Sequence, residues 1–429
     1  MKSIDTKRRI FLLFSIVLLS VVFVGCGDNL EYPIGEDMRE PSSLSDLPRV
    51  YITTPNGLKI KSKTRWVKDC VMLITDSKGE RLQELDMSIR GRGNTTWGYP
   101  KQPYAIKLDS RYRVLGMPKH KRWVLLANWM DRTLLRNDVA FEMARRTMEW
   151  APRGKFVELF LNGQFFGNYY LCEQIKIDEN RVNVDMSDDS MSPSNNTQSS
   201  IGYVLEFDVH ASEDERNYFY TKVKGLPCIV KEPDEDIIKS QEHPAFEYIK
   251  DYVNGVERSF EDDKDELSRW DEIVNLIDVE SFIDWWLIHE LTCNSEAKWP
   301  KSCYMYKKQN GKLYAGPVWD FDWGTFTSYS NSVILTDVLW YGYLFKYNEF
   351  IDAVKERWDV LKNVFEEVDS YILEQAELIR VSNEVNIAKW PISSDVNEDE
   401  EMTFDDAITS MRLAYNNRLR VIDNYISNL

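Results

Sequence analysis

The amino-acid sequence predicts an α+β protein with a β-rich N-terminal part and a mainly helical C-terminal part. Residues 49–115 contain several short runs in which apolar and polar residues alternate, the pattern of half-buried strands. From Pro244 to Leu291, and again after Asn348, apolar residues recur every three or four positions, as they do along one face of a helix. Strands and helices are therefore expected in different parts of the chain.

The N-terminal residues have the features of a bacterial lipoprotein signal peptide, predicted at 1–25. Four basic residues among the first nine precede the apolar run 10–24, and Gly25 stands before Cys26. This arrangement predicts export and lipidation of Cys26, which would anchor the protein in the cell envelope, on its periplasmic or outer side. A membrane-spanning helix is the competing interpretation, but about 15 apolar residues are fewer than the roughly 20 that a span requires.

A linker precedes the folded part of the chain. Residues 26–48 are rich in proline and serine and predict a linker. The β-rich region is predicted at 49–115, and residues 116–429 would complete the domain. Within that remainder Asn162-Gly163 separates two apolar runs, which is a strong signal for a β-hairpin. Residues 185–200, rich in Ser, Asn and Asp, predict a loop.

Charge and composition narrow the classes of function. The 70 acidic side chains outnumber the 53 lysines and arginines, and the resulting net charge of −17 argues against nucleic acid as a partner. A hydrophobic content of 43% supports a globular core. The five cysteines other than Cys26 contain no Cys-x-x-Cys pair, which indicates buried thiols and argues against zinc, although Cys293 and Cys303 could form a disulfide.

A glycine-bearing loop, Arg90-Gly-Arg-Gly-Asn94, follows one of the predicted strands. Two close glycines allow a backbone to approach a ligand, and Arg90 and Arg92 could contact phosphate. A tight hairpin turn is the alternative interpretation. The next predicted strand contains Ala105-Ile-Lys107, the composition of a strand lysine that contacts a nucleotide, although alternation alone would also place a solvated lysine there.

Residues 131–146 predict a helix that Asp131 or Thr133 could cap. Glu142 on this helix is a candidate partner for the strand lysine, and an exposed ion pair with Arg145 or Arg146 is the equally acceptable alternative.

The strongest candidate site lies around the predicted hairpin of 303–306 and 313–319. Glu296 belongs to a polar loop before the hairpin, and Asp320 and Asp322 follow it directly, so that the three carboxylates could converge. Hard oxygen ligands at a strand end suggest magnesium, which commonly takes one or two carboxylates together with water and substrate phosphates. Solvated turn carboxylates are the alternative. His289, on the preceding helix, is expected to be packed in the core.

Five motifs in order resemble the spore coat protein H (CotH) kinase family. They are Arg90-Gly-Arg-Gly-Asn-Thr-Thr-Trp97, Lys101-Gln-Pro-Tyr-Ala-Ile-Lys-Leu-Asp109, Leu125-Leu-Ala-Asn-Trp-Met-Asp-Arg-Thr-Leu-Leu-Arg-Asn137, Glu173-Gln-Ile-Lys-Ile-Asp178 and Trp319-Asp-Phe-Asp322. The resemblance implies an atypical protein-kinase-like, two-lobed fold, with ATP and Mg²⁺ or Mn²⁺ as cofactors and a protein Ser or Thr as the phosphate acceptor.

The resemblance also implies roles for the candidate residues. Lys107, with Lys101 as the second choice, would contact the ATP phosphates, and Glu173 would lie near the adenine pocket. Asp320 would hold the metal with help from Asp322, and Glu296 would orient the acceptor hydroxyl.

One position departs from the commoner family pattern, because many members carry Asp where this chain has Glu296. The alternative is therefore a pseudokinase, a non-catalytic surface lipoprotein that binds protein or glycan.

Overall fold

The computed structural model describes most of the residues that follow the predicted linker. The signal peptide, Cys26 and the loop predicted at 185–200 lie outside the described residues. None of the described helices is long and apolar enough to span a membrane. The described residues are 45–184, 201–214, 217–234, 237–261, 266–327, 330–392 and 396–429.

Within these ranges, seven strands close into a barrel in the order β1-β2-β3-β4-β5-β7-β6. All neighbours are antiparallel except β1 and β6, whose parallel pairing closes the barrel. Alternation fills the interior with residues such as Val50, Ile52, Ile106 and Leu108. The strands are β1 (Arg49–Thr53), β2 (Val67–Thr75), β3 (Arg81–Gly91), β4 (Tyr104–Tyr112), β5 (His120–Leu126), β6 (Gly154–Leu161) and β7 (Gln164–Glu173).

The hairpin between β6 and β7 turns at Asn162-Gly163, as its sequence predicts. Both residues have positive φ, 50° and 78°, which asparagine and glycine adopt at little cost. The β-rich part of the molecule therefore continues to Glu173, well beyond residue 115, because this hairpin and β5 complete the barrel.

A second sheet has the order β12-β11-β8-β10-β9 in the described part of the chain. Strand β8 lies at its centre, between β10 and β11, and every residue of β8 is buried. The strands are β8 (Tyr203–Phe207), β9 (Tyr218–Tyr220), β10 (Pro227–Glu232), β11 (Cys303–Lys307) and β12 (Leu313–Ala315).

Helices dominate the C-terminal part, which confirms the predicted α+β class with its β-rich and helical regions. The closed barrel is not a kinase-like lobe, so the kinase-like two-lobed fold stays a prediction. Helix α5 lies within the core, and ten of its thirteen residues are buried. The helices are α1 (Arg136–Thr147), α2 (Ala211–Asp214), α3 (Pro244–Ser259), α4 (Glu266–Leu276), α5 (Val279–Leu291), α6 (Tyr341–Leu344), α7 (Asn348–Glu366), α8 (Val368–Lys389) and α9 (Phe404–Ser427).

Helix α1 begins five residues later than the sequence predicts. Leu134 has a φ of 60°, which is incompatible with a right-handed helix, so residues 131–135 form a turn. Asp131 nevertheless serves the helix, because its carboxylate accepts hydrogen bonds from the backbone N–H groups of Thr133 and Arg136, at 2.9 and 3.0 Å.

Polar contacts join the barrel to the helical part. Asn168 of β7 donates its backbone N–H to Asn386 Oδ1 (3.1 Å) and its side-chain amide to Ser382 Oγ (3.0 Å), both on α8. The Trp390 indole N–H donates to Phe166 O at 2.7 Å. These bonds fix the barrel against α8.

Candidate functional site

An acidic cleft lies where the barrel, the second sheet and the loops around β11 and β12 meet. It has a volume of about 270 Å³ and adjoins a small cavity of about 20 Å³. Arg92, Thr96, Trp319, Asp320 and Asp322 line both spaces. The cleft also receives Glu296, so the three predicted carboxylates lie around one space.

Local structure explains the position of Glu296. Helix α5 ends at Leu291, and Ser295–Lys298 forms a short 3₁₀ turn. The Asn294 side chain caps this turn by accepting a hydrogen bond from the Glu296 backbone N–H at 3.1 Å. Glu296 is thereby held at the edge of the cleft, with its side chain only 14% exposed.

The backbone that carries Asp320 and Asp322 is held from two sides. Between them, Phe321 donates its N–H to Asn137 Oδ1 of α1 at 2.8 Å, while the Asn397 amide donates to Asp322 O at 2.9 Å. Asp320 itself has a φ of 70°, a conformation that few residues other than glycine adopt. This backbone turns both carboxylates toward the cleft.

Burial raises the pKa values of all three carboxylates. Burial raises the pKa of Asp320, the Arg92 guanidinium lowers it, and the charge of Glu206 raises it further. The pKa of Asp322 lies well above its ordinary range because burial is reinforced by the charge of Asp320. For Glu296, burial raises the pKa although a hydrogen bond from Lys301 opposes it.

The cleft contains two acidic residues that the sequence analysis missed, Glu206 and Asp208. Glu206 lies on the central strand β8 and Asp208 directly follows it. Asp208 accepts a hydrogen bond from the Ser302 backbone N–H at 3.0 Å. Their spacing of two residues at the end of an apolar strand is a signal that could have identified them, since such side chains leave the strand on the same face.

Basic residues balance part of this negative charge. Lys301 forms an ion pair with Glu296 at 2.6 Å, and Lys231 forms one with Glu206 at 3.2 Å. The Arg92 guanidinium lies 5.2 Å from the centre of the Trp319 ring, a cation–π arrangement that directs the arginine along the wall shared by the cleft and the small cavity.

Two residues predicted to contact phosphate are not among the described residues that line the cleft. Lys107 is exposed on β4, because its neighbours Ile106 and Leu108 point into the barrel and alternation turns the lysine outward. Arg90 stacks on Trp66, with 4.7 Å from the guanidinium carbon to the ring centre. Their predicted phosphate contacts stay predictions.

The two glutamates predicted to assist the nucleotide have other partners. Glu142 pairs with Arg145 at 2.7 Å and Arg146 at 2.9 Å, the alternative arrangement considered from the sequence. Glu173 is fully buried, where it pairs with Arg153 at 2.8 Å. Neither belongs to the described lining of the cleft.

Lys101, the second choice for the phosphate-binding lysine, lines the small cavity beside Asp320 and Asp322. Its side chain is completely buried, and its ammonium group donates to Ala127 O (2.6 Å) and to Asn168 O. Burial lowers its pKa well below the ordinary value, while the charge of Asp131 opposes this shift.

His289 and the cysteines belong to the core. The His289 ring stacks on Trp285 with 3.9 Å between ring centres, and burial lowers its pKa to about 3. Cys293 and Cys303 are buried free thiols and do not form the disulfide that the sequence allowed.

The described residues include no group of three or more His, Cys, Asp or Glu side chains placed to hold a metal ion. The donors still suit a hard cation, because the carboxylates of the half-buried Asp320 and the buried Asp322 lie close together. Burial raises both pKa values; the charge of Asp320 raises the pKa of Asp322 further, whereas a hydrogen bond with Asp322 lowers the pKa of Asp320. Since Mg²⁺ commonly binds one or two carboxylates and completes its shell with water and phosphate oxygens, the pair fits that ion.

Barrel, helical part and acidic cleft together define an α+β protein in which buried carboxylates and basic side chains surround one polar site. A family model described as CotH kinase protein matches residues 89–422, and the chain belongs to this family. The match confirms the resemblance found in the five motifs. A comparison with curated proteins gives no significant match.

Proposed function

We propose that the protein is an atypical kinase that transfers the γ-phosphoryl group of ATP to Ser or Thr of an exported or surface protein. Family membership supports a kinase-like function. The observation that carries the proposal is the convergence of Glu296, Asp320 and Asp322 on one cleft beside Arg92. Phosphoryl transfer depends mainly on positioning and on stabilisation of charge, and this set of side chains suits both tasks.

In this proposal Asp320 and Asp322 hold Mg²⁺ or Mn²⁺, which when bound neutralises charge on the phosphates. Arg92 lines the same cleft and is placed to contact phosphate oxygens there. Lys101 lines the small cavity beside the carboxylate pair, where its buried amino group donates hydrogen bonds to Ala127 O and Asn168 O. Lys107, Arg90, Glu142 and Glu173 lie outside the described lining, so the proposal does not depend on them.

Glu296 is the proposed acceptor-side residue. Its carboxylate would accept a hydrogen bond from the Ser or Thr hydroxyl and align the oxygen for attack, and the longer glutamate side chain reaches one methylene farther than aspartate. Lys301 holds this carboxylate at 2.6 Å, so an acceptor hydroxyl must share it with the lysine or displace the lysine.

The same ion pair favours a second candidate, a non-catalytic module that binds protein or glycan. If Lys301 permanently engages Glu296, no carboxylate in that position is available to an acceptor. Such a module has no need for a nucleotide or a metal.

Nucleotide binding separates the two candidates. Calorimetric titration of ATP into the purified chain should show binding that requires Mg²⁺ or Mn²⁺ and that weakens at least about tenfold in Asp320→Asn, since one of two metal-holding carboxylates is lost. Asp86→Asn is the matched control, because Asp86 is exposed on β3. Metal-independent binding, or none, would favour the non-catalytic module.

We further propose that the protein is exported and anchored in the cell envelope through lipid on Cys26. A Cys26→Ala variant should lose incorporation of radiolabelled palmitate and leave the membrane fraction, whereas equal labelling of both proteins would contradict the proposal.

A further inference from the structure

A second surface, which shares no described lining residue with the acidic cleft, combines basic and apolar side chains. It consists of two adjoining hollows of about 750 and 380 Å³, both open to solvent, that share Leu115, Gly116 and Lys155. The larger hollow lies between the barrel and helices α1 and α8, and the smaller one continues to Pro48 and Leu82. We call this surface the basic groove.

The groove is positively charged although the chain carries a net charge of −17. Four cationic side chains line it against two carboxylates, so its local charge opposes that of the molecule as a whole. The cations are Arg113, Arg145, Arg153 and Lys155, and the carboxylates are Asp138 and Glu142.

Both carboxylates are already engaged at the floor and wall of the groove. Asp138 is 3% exposed and accepts hydrogen bonds from the hydroxyl groups of Tyr170 (2.7 Å) and Tyr371 (2.9 Å). Glu142 is bound by Arg145 and Arg146. Neither acid therefore neutralises the cations at the rim.

Arg113 and Lys155 are exposed at this rim, and in the part of the chain that the structure describes their side chains form no hydrogen bond or ion pair. Arg153, by contrast, is bound to Glu173 at 2.8 Å. Two cations at the rim thus remain available to an incoming anion.

Apolar side chains lie along the same groove. Leu82 is 51% exposed in the smaller hollow and Leu378 is 48% exposed in the larger one, with Leu115 between them. These leucines place apolar contacts in the same groove as the two unpaired cations. An elongated groove with separated charges suits several carboxylates spaced along a chain better than one compact anion.

We propose that the basic groove binds an extended acidic segment of a partner protein, with its carboxylates at Arg113 and Lys155 and its apolar side chains against Leu82 and Leu378. The rest of this acidic molecule repels such a segment, so the groove determines where and in which orientation it docks. The inference is independent of phosphoryl transfer, because it uses neither the acidic cleft nor a nucleotide.

The test measures binding of a fluorescein-labelled peptide of about 12 residues composed of Glu, Asp and Leu, by anisotropy at low ionic strength. The wild-type chain should bind it, and added salt should weaken the complex because exposed charges are screened. The double variant Arg113→Glu/Lys155→Glu should bind at least about tenfold more weakly, since two attractive rim charges become repulsive.

The double variant Lys59→Glu/Lys61→Glu changes the net charge equally at exposed lysines outside the groove and should bind the peptide within about threefold of wild type. Leu378→Asp tests the apolar contact and should also weaken binding. Equal affinity in all variants, no binding by the wild type, or binding only to vesicles of anionic phospholipid would each overturn the proposal.

Discussion

Replacing Arg418 with methionine should destabilise the folded protein by about 3–5 kcal/mol, the cost of removing one partner from a buried ion pair. Arg418 on α9 is 1% exposed, and its guanidinium donates to Glu290 Oε2 at 2.5 Å and to Glu290 O at 2.8 Å. The third guanidinium nitrogen, Nη1, donates to Ser332 O at 2.7 Å. The substitution therefore leaves a buried carboxylate without its cation. The carbonyl groups of Glu290 and Ser332 lose one donor each but keep hydrogen bonds from the Cys293 N–H (3.0 Å) and the Ser330 hydroxyl (3.1 Å).

The expected cost lies in the lower half of that range. Both carbonyl groups keep a donor, and the backbone N–H groups of Ile334 and Leu335 still solvate the Glu290 carboxylate at 2.8 and 2.6 Å. Urea unfolding followed by circular dichroism measures the change, as a shift of the midpoint at an unchanged slope.

Arg412→Met on the same helix is the matched control. Arg412 pairs with Asp369 at 2.7 Å, but the two side chains are 32% and 21% exposed, so its loss should cost only about 0–1 kcal/mol. Arg418→Met variants as stable as Arg412→Met variants would refute the reasoning.

The cost of losing Arg418 should also grow with pH. Burial raises the pKa of Glu290 above its ordinary value of 4.5, and Arg418 opposes that shift, so its removal raises the pKa further. A carboxyl group whose pKa is raised by folding contributes stability at low pH and loses it as pH rises through the folded-state value. The difference between variant and wild type should therefore increase as the pH rises above 4.5.

Two further predictions concern the core. Burial lowers the pKa of His289 to about 3 and keeps the ring neutral. Its contribution to stability is therefore present above its ordinary pKa of 6.5 and is lost as pH falls toward 3. His289→Phe should reduce the drop in urea midpoint between neutral and mildly acidic pH, and an unchanged drop would contradict this. At Gly154 an added Cβ would lie 2.3 Å from the Tyr170 ring, so Gly154→Ala should lower the free energy of unfolding by about 1–3 kcal/mol. Gly98→Ala is the control: its added Cβ meets no atom within 4 Å, and the free energy of unfolding should change by less than about 1 kcal/mol. Similar urea midpoints for the two variants would contradict the prediction and show that the Tyr170 ring moves aside.

Local patterns predicted much of the fold. Asn162-Gly163 specified its hairpin because the turn requires two residues that tolerate positive φ, and alternation identified strands β1 to β4. Local patterns could not predict that the parallel pairing of β1 with β6 closes the barrel, because this pairing joins residues more than 100 positions apart. The start of α1 was misjudged because the left-handed Leu134 is an unusual residue for that conformation.

The site could be predicted where chemistry and chain order coincide. Glu296, Asp320 and Asp322 flank one hairpin, so their convergence follows from local geometry. Glu206 and Asp208 come from β8, and only the pairing of β8 with β11 brings them to the same cleft. The sequence around Lys107 suggested a ligand contact. In the structure its neighbours Ile106 and Leu108 are buried in the barrel, and the alternation of side chains along the strand therefore points Lys107 outward.

Transfer of phosphate tests the central proposal most directly. Purified chain incubated with γ-labelled ATP and Mg²⁺ or Mn²⁺, with its natural acceptor or a mixture of envelope proteins, should incorporate label into Ser or Thr. Asp320→Asn and Glu296→Gln should each reduce the rate at least about 100-fold, as expected for loss of a group that positions or stabilises the reacting atoms, while Asp86→Asn should not. Labelling that is equal in all four proteins, or metal-dependent ATP binding without any transfer, would contradict the assignment of the cleft as a kinase active site.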